Sequence, residues 1–170
     1  MSVLKNIGYS TENGYINPNN QTNITSYSIP NDVIHLGNHC FSRCSKLRSI
    51  TIPNSVLSLG YNCFFYCTSL SSIEIPDSVT SLGVYCFNSC SSLSSITIPN
   101  SVKRIDECCF SHCYNLTAIT IPNSVEYIGD YCFDYCTSLK TIYTNNPLIK
   151  LGNYSIPLKC KISPIQINCN

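Results

Sequence analysis

The chain has 170 residues, long enough for one single-core domain, and ten Lys and Arg against nine Asp and Glu leave a formal charge of +1. That balance supplies none of the positive field that nucleic-acid phosphates attract, so nucleic acid is excluded as an expected partner. Only 11% of residues are charged and 44% are hydrophobic, which predicts a largely neutral, hydroxylated surface that recognises by shape and hydrogen bonding.

Residues 1–15 contain no apolar run of the roughly 7–15 residues that make a secretory signal core, and nowhere do about 18 apolar residues run together. A soluble chain without membrane insertion is expected. Leu4, Ile7 and Tyr9 repeat the spacing of Ile24, Tyr27 and Ile29 only 20 residues earlier, so residues 1–23 are read as an N-terminal cap.

From a leading strand at 24–29 the sequence enters five copies of one 23-residue unit and stays in them to residue 141. Pro30, Pro53, Pro76, Pro99 and Pro122 recur without an insertion, which requires every unit to follow the same backbone path. Within a unit, Leu70, Ile73 and Ile75 alternate with Ser72 and Glu74, the period of a strand with one buried face. Proline then removes a backbone donor and an Asn-Ser or Asp-Ser pair turns the chain.

Val56 and Leu59 return to the core ahead of Gly60, whose freedom at positive φ suits a tight corner; Asp106 departs from that glycine column. In residues 61–67, YNCFFYC, the apolar spacing i, i+1, i+4 predicts a short helix or 3₁₀ turn. One such unit cannot bury its apolar face, but stacked units align Leu, Ile, Val and Phe into a continuous core.

Residues 142–170 are read as a degraded sixth repeat and C-terminal cap. Leu148, Leu151, Gly152, Ile162, Ile165 and Ile167 are expected in the apolar and glycine columns, with Ser155, Ile156 and Lys159 replacing the Cys-Phe pair and the second Cys. A terminal coil faces water on one side, so its departure from the pattern is expected.

The pattern LxxIxIPxSVxxIGxxCFxxCxxL resembles the BspA-like, or Treponema-type, leucine-rich repeats over about residues 24–167. The resemblance implies a right-handed leucine-rich-repeat solenoid with a parallel β-sheet on the concave side and short helical or 3₁₀ turns and loops on the convex side. Family members are adhesin-like surface proteins of mucosal microbes and parasitic protists, which implies binding to host proteins or cells. Two departures stand out: Cys precedes Phe where the family usually has Ala, and no anchor is visible.

Cys40, Cys63, Cys86, Cys109 and Cys132 form one column and Cys44, Cys67, Cys90, Cys113 and Cys136 another. A metal or redox ladder is one reading, but zinc needs about four converging ligands. A thiol pair beside Phe in every coil fits small apolar packing better, and the i, i+4 separation is poor for a disulfide. Cys108, Cys160 and Cys169 fall outside both columns: Cys108 is expected to be comparatively exposed, while Cys160 and Cys169 either bridge or remain free.

His35, His39 and His112 sit in columns that change identity, hence outward and without a repeated partner. No nucleophile elbow, phosphate loop or zinc-protease motif is present. Neither catalytic residues nor a metal or cofactor is expected, and the function predicted is non-enzymatic protein binding. Sequons at Asn20, Asn23, Asn115 and Asn153 are chance matches in a chain rich in Asn, Ser and Thr.

Two surfaces present themselves for such a partner. Ser49, Thr51, Ser72, Glu74, Ser95, Thr97, Ala118, Thr120, Thr141 and Tyr143 are predicted to tile the concave sheet. Tyr61, Phe65, Tyr66, Tyr85, Tyr131 and Tyr135 are predicted on the opposite flank, either as recognition residues or as a cover for the coils below. Self-assembly is the competing function, through edge strands at 24–29 and 162–167. Reduced thiols and the lack of a leader point inside the cell, the resemblance to its surface.

Overall fold

A computed structural model describes residues 23–165. The N-terminal cap expected over 1–23 lies outside the described residues except for Asn23, as do Asn20, Ile167 and Cys169.

The chain winds as a right-handed solenoid with a parallel β-sheet on its concave side. The LxxIxIP segments form β1 (Ser26–Ser28), β3 (Ser49–Thr51), β5 (Ser72–Glu74), β7 (Ser95–Thr97), β9 (Ala118–Thr120), β11 (Thr141–Tyr143) and β13 (Lys161–Ser163). These give a pair, β1–β3, and a five-stranded run from β5 to β13, so the sheet is interrupted between β3 and β5. The register keeps like beside like: Ser72 faces Ser95, Ile73 faces Ile96 and Glu74 faces Thr97.

The apolar pair after the turn also forms a strand. These are β2 (His35–Leu36), β4 (Ser58–Leu59), β6 (Ser81–Leu82), β8 (Arg104–Ile105), β10 (Tyr127–Ile128) and β12 (Lys150–Leu151), in one uninterrupted parallel sheet of six. The Ser78 and Ser101 hydroxyls, from the turn before this sheet, donate to the carbonyls of Val56 and Val79 one coil back.

Between the two ladders lies a core built of columns. Phe41, Phe64, Phe87, Phe110 and Phe133 stack with centroids 5.3–5.5 Å apart and planes within 2–6° of parallel. That spacing follows the coil pitch, which the ladder hydrogen bonds hold near strand separation. Tyr27 closes the stack at one end, 5.5 Å from Phe41; at the other Ile156 packs on the core and Ser155 is buried.

The helical turn expected over residues 61–67 is absent, and no helix occurs among the described residues. Amides alternate instead. Those of Cys40, Ser42 and Cys44 bond locally to Gly37, His39 and Phe41, whereas those of His39, Phe41 and Arg43 reach the next coil at Tyr61, Cys63 and Phe65 over 2.6–2.8 Å. A helix would use every amide within the segment; alternation pins each coil to its neighbour. It requires positive φ at His39 (59°) and Arg43 (62°), which a right-handed helix forbids.

Gly60 is likewise not a positive-φ corner. A Cβ there would stand 2.7 Å from the Asn38 nitrogen and the Gly37 carbonyl carbon, and at Gly129 one would stand 2.4 Å from the Glu107 nitrogen. Because the Gly60 amide donates to Leu36 O at 2.9 Å, the two backbones approach too closely for a side chain to fit between them.

The last coil is shorter than the rest. Up to Leu151 the register is that of the repeat, with Ile128 facing Leu151, but Ile142 then pairs with Ile162 rather than with Ile165. Three residues are therefore lost between the two sheets. Ile162 occupies a strand position and not the place of Leu139; with no further coil among the described residues to cover it, it is 51% exposed. Among the described residues no helix is long and apolar enough to cross a membrane.

Candidate functional site

The outward strand residues fall where the alternation puts them. Ser49, Thr51, Ser72, Glu74, Ser95, Thr97, Thr120 and Tyr143 are exposed; Ala118 and Thr141 are half-buried. Ser72, Glu74, Ser95 and Thr97 are gathered into one groove of about 550 Å³, together with Asn54 and Asp77. A smaller hollow of about 210 Å³ adjoins it at the sheet interruption, lined by Thr51, Asn54 and Glu74. Ser49, Thr120, Thr141 and Tyr143 stand outside both. Asn54 and Asp77 were missed because they lie past the proline, in the turn; their signal is the Asn or Asp that follows Pro53 and Pro76.

The aromatic residues of the opposite flank resolve into neighbouring columns set by backbone conformation. His39, Asn62, Tyr85, Cys108, Tyr131 and Tyr154 share one left-handed position (φ 51–59°), and Arg43, Tyr66, Ser89, His112 and Tyr135 share another (φ 54–62°). Glycine adopts this conformation freely and a bulky residue does so at a cost of order 1 kcal/mol.

The rings interact along the stack. Tyr131 and Tyr154 lie 5.4 Å apart at 19°, His112 and Tyr135 4.7 Å apart at 20°, and Tyr61 meets Tyr85 edge-on at 5.8 Å. Tyr61, Tyr66, Tyr131 and Tyr135 remain exposed, whereas Phe65 and Tyr85 are half-buried. Tyr154 and His112 are absent from the predicted patch, the first because its coil is degraded and the second because its column changes identity and offers no repeated partner. Of the histidines, His35 is exposed and bonds Ser58 Oγ at 2.8 Å; His39 and His112 are half-buried against Tyr61 and Tyr135.

The ten column cysteines are buried and unbridged. Burial pushes their thiols up, to about 12 at Cys40, Cys90 and Cys136 and about 11 at Cys44. Cys108 is half-buried, and so comparatively exposed beside the ten column thiols. Burial raises its thiol, a hydrogen bond with Tyr85 opposes this, and Glu107, Asp134 and Asp130 add to the rise. Cys160, also half-buried and free, is raised by burial. None of these environments makes a thiolate nucleophile. Among the described residues no group of three or more His, Cys, Asp or Glu is placed to hold a metal ion.

A further groove of about 550 Å³ lies on the second sheet, lined by Lys103, Arg104, Tyr127 and Lys150 among others. Arg104 bonds Asp106 at 3.2 Å and lies over the Tyr127 ring at 4.8 Å. In sequence Arg104, Tyr127 and Lys150 share the variable column of His35, and Lys103 lies in the column before it.

Parallel coils, a proline-ended concave strand and a Phe spine define a leucine-rich-repeat protein. More narrowly, residues 17–102 and 58–170 match the model of the BspA type leucine rich repeat region, and the chain belongs to that family. No curated protein matches it in sequence.

Among solved structures it is similar to the T. pallidum leucine rich repeat protein TpLRR, at 28% identity with a TM-score of 0.66 over 79% of this chain and 65% of that one. It is also similar to a leucine rich cell surface protein from Faecalibacterium prausnitzii, at 26% identity with a TM-score of 0.63 over 84% and 48%. The pneumococcal vaccine antigen PcpA shares the fold, at 20% identity with a TM-score of 0.74 over 85% and 37%. The chain thus spans about two thirds or less of the length of these structures.

Proposed function

We propose that the chain is a non-enzymatic protein–protein interaction module, adhesin-like in binding host proteins or cells. The observation that carries this reading is the contrast between a backbone that repeats coil after coil and outward columns whose residues change at some coils, as at Glu74, Ala118 and Tyr143. Position 72 recurs as Ser95, Ala118 and Thr141, and position 74 as Thr97, Thr120 and Tyr143, while the strands beneath keep their register. A rigid scaffold carrying a non-repeating surface suits recognition by shape. The groove holding Ser72, Glu74, Ser95 and Thr97 gives that surface depth and several hydrogen-bonding groups. The adhesin-like reading draws support from the F. prausnitzii neighbour, described as a cell surface protein.

The test is direct. Immobilised protein is offered detergent lysate and intact host cells, and a specific partner should be retained and released by soluble competitor. Retention of nothing from either source would refute the reading.

Self-assembly is favoured by one separate observation: among the described residues β13 is paired with β11 alone, and Leu151, Leu158 and Ile162 are exposed at that end. An unpaired strand edge recruits further strands. Sedimentation velocity over a wide concentration range would then show association, and a monomer throughout would eliminate it.

A further inference from the structure

On the flank of the fourth to sixth coils, exposed rings and carboxylates outside any close ion pair occupy one surface. Tyr131, Tyr135, Tyr154 and His112 all sit at left-handed backbone positions. Glycine would be free of strain there, so the side chains themselves have a use. Stacking answers only part of it, because Tyr135 remains 60% exposed and Tyr154 75%.

Three of the chain's nine acidic residues directly precede left-handed positions of these columns, Glu107 before Cys108, Asp130 before Tyr131 and Asp134 before Tyr135; Lys159 lines a hollow with Asp134 and Tyr154. The Asp130 carboxylate accepts bonds from the Asn153 amide and side chain, and Asp134 accepts from the Tyr135 amide at 3.0 Å, so both are held in place. Arg104 pairs with Asp106 at 3.2 Å, and among the described residues none of Glu107, Asp130 and Asp134 has a basic partner at such a distance. All three act on the Cys108 thiol, which lies between Tyr85 and Tyr131 in its column, so their fields converge on one patch.

Ring faces carry negative electrostatic potential, and carboxylates beside them add to it. The molecule already contains one such pairing, Arg104 over Tyr127. We propose that this flank docks an arginine- or lysine-bearing segment of a partner protein, its cations lying over the rings of Tyr131, Tyr135 and Tyr154 beside Glu107, Asp130 and Asp134. The proposal rests on the chain being a protein-binding module and adds which face binds and what charge the partner carries.

The probe is a short fluorescent peptide alternating Arg with Gly, titrated into the full chain, beside a matched peptide with Glu for Arg and a neutral oligosaccharide. The Arg peptide should bind saturably and weaken with salt, and the other two should not bind. The pair Tyr131→Asn and Tyr154→Asn, which tolerates the left-handed backbone, should weaken binding about tenfold. Glu107→Gln with Asp134→Asn should do the same, while Thr80→Val, at an exposed position just before β6, should leave it unchanged.

Circular dichroism confirms that each variant is folded. Binding of the Glu peptide or the oligosaccharide equal to that of the Arg peptide, or Arg-peptide binding undiminished in both flank variants, would overturn the proposal. If a partner captured from lysate stays bound by both flank variants and the Arg peptide does not bind, this face is wrong and the module reading stands. If the wild-type chain binds neither peptide nor any partner, both fall.

Discussion

The Cys90 thiol donates a hydrogen bond to the carbonyl oxygen of Phe64, 3.2 Å away in the preceding coil. Cys67, Cys113 and Cys136 repeat the contact to Phe41, Phe87 and Phe110 at 3.0–3.3 Å. The second cysteine of each pair therefore fills the core and ties its coil to the one before. Because the carbonyl also accepts an amide, most of the thiol's contribution is packing. Cys90→Ala should cost about 1–3 kcal/mol, mainly as a cavity, and Cys108→Ala less than about 0.5 kcal/mol. Urea unfolding measures both, and equal losses would contradict the assignment.

Alkaline pH tests the same columns collectively. A thiol whose pKa is raised by folding stabilises the protein fully below its unfolded value of 9.0, and that stabilisation is lost as pH climbs from there towards 11 or 12. The unfolded thiols ionise first, so each contributes a loss of about 1.4 kcal/mol per pH unit within this window. With ten buried thiols the melting temperature should collapse just above pH 9. A flat profile from pH 9 to 11 would mean that the thiols ionise in the folded state.

At neutral pH a maleimide reagent should modify folded protein at no more than Cys108, Cys160 and Cys169, and all thirteen cysteines only after denaturation. Mass spectrometry of the digested adduct reads this directly. Native labelling of Cys63 or Cys109, both fully buried, would show that the coils part.

Gly129→Ala should destabilise more than Gly83→Ala. The new Cβ would stand 2.4–2.8 Å from the backbone of Asp106 and Glu107 in the first case and 2.9–3.1 Å from that of Leu59 and Gly60 in the second. Backbone cannot swing aside, so the cost at Gly129 should be about 2 kcal/mol or more, in the range of overpacking. Thermal melts of the two variants decide it, and Asn at 129 should fare no better than Ala, since space and not φ is limiting.

Ile96→Ala, in a central strand, should cost about 2–5 kcal/mol, and Ile162→Ala much less because half of Ile162 already faces water. Equal losses would contradict nearest-neighbour stacking.

Periodicity determined most of this molecule without a fold in hand. A residue's column fixes whether it is covered by the coils above and below, so Phe87, Cys86, Ile96 and Val102 were legible as core, and Ser72 and Glu74 as surface, from 23-residue spacing alone. Tertiary structure decided what depends on contact between coils. Spacing in the CFxxC segment matched a helical turn, yet the next coil claims every second amide and forces His39 and Arg43 to positive φ. The glycine column looked like a conformational requirement, but the missing Cβ is what lets Gly129 approach Glu107. The last coil loses three residues, which shows only in the pairing of Ile142 with Ile162. Which outward residues converge, Glu74 with Asp77 in one groove or Asp130 and Asp134 beside Tyr131 and Tyr135, depends on how the turns aim side chains across the stack, and a column assignment carries no such direction.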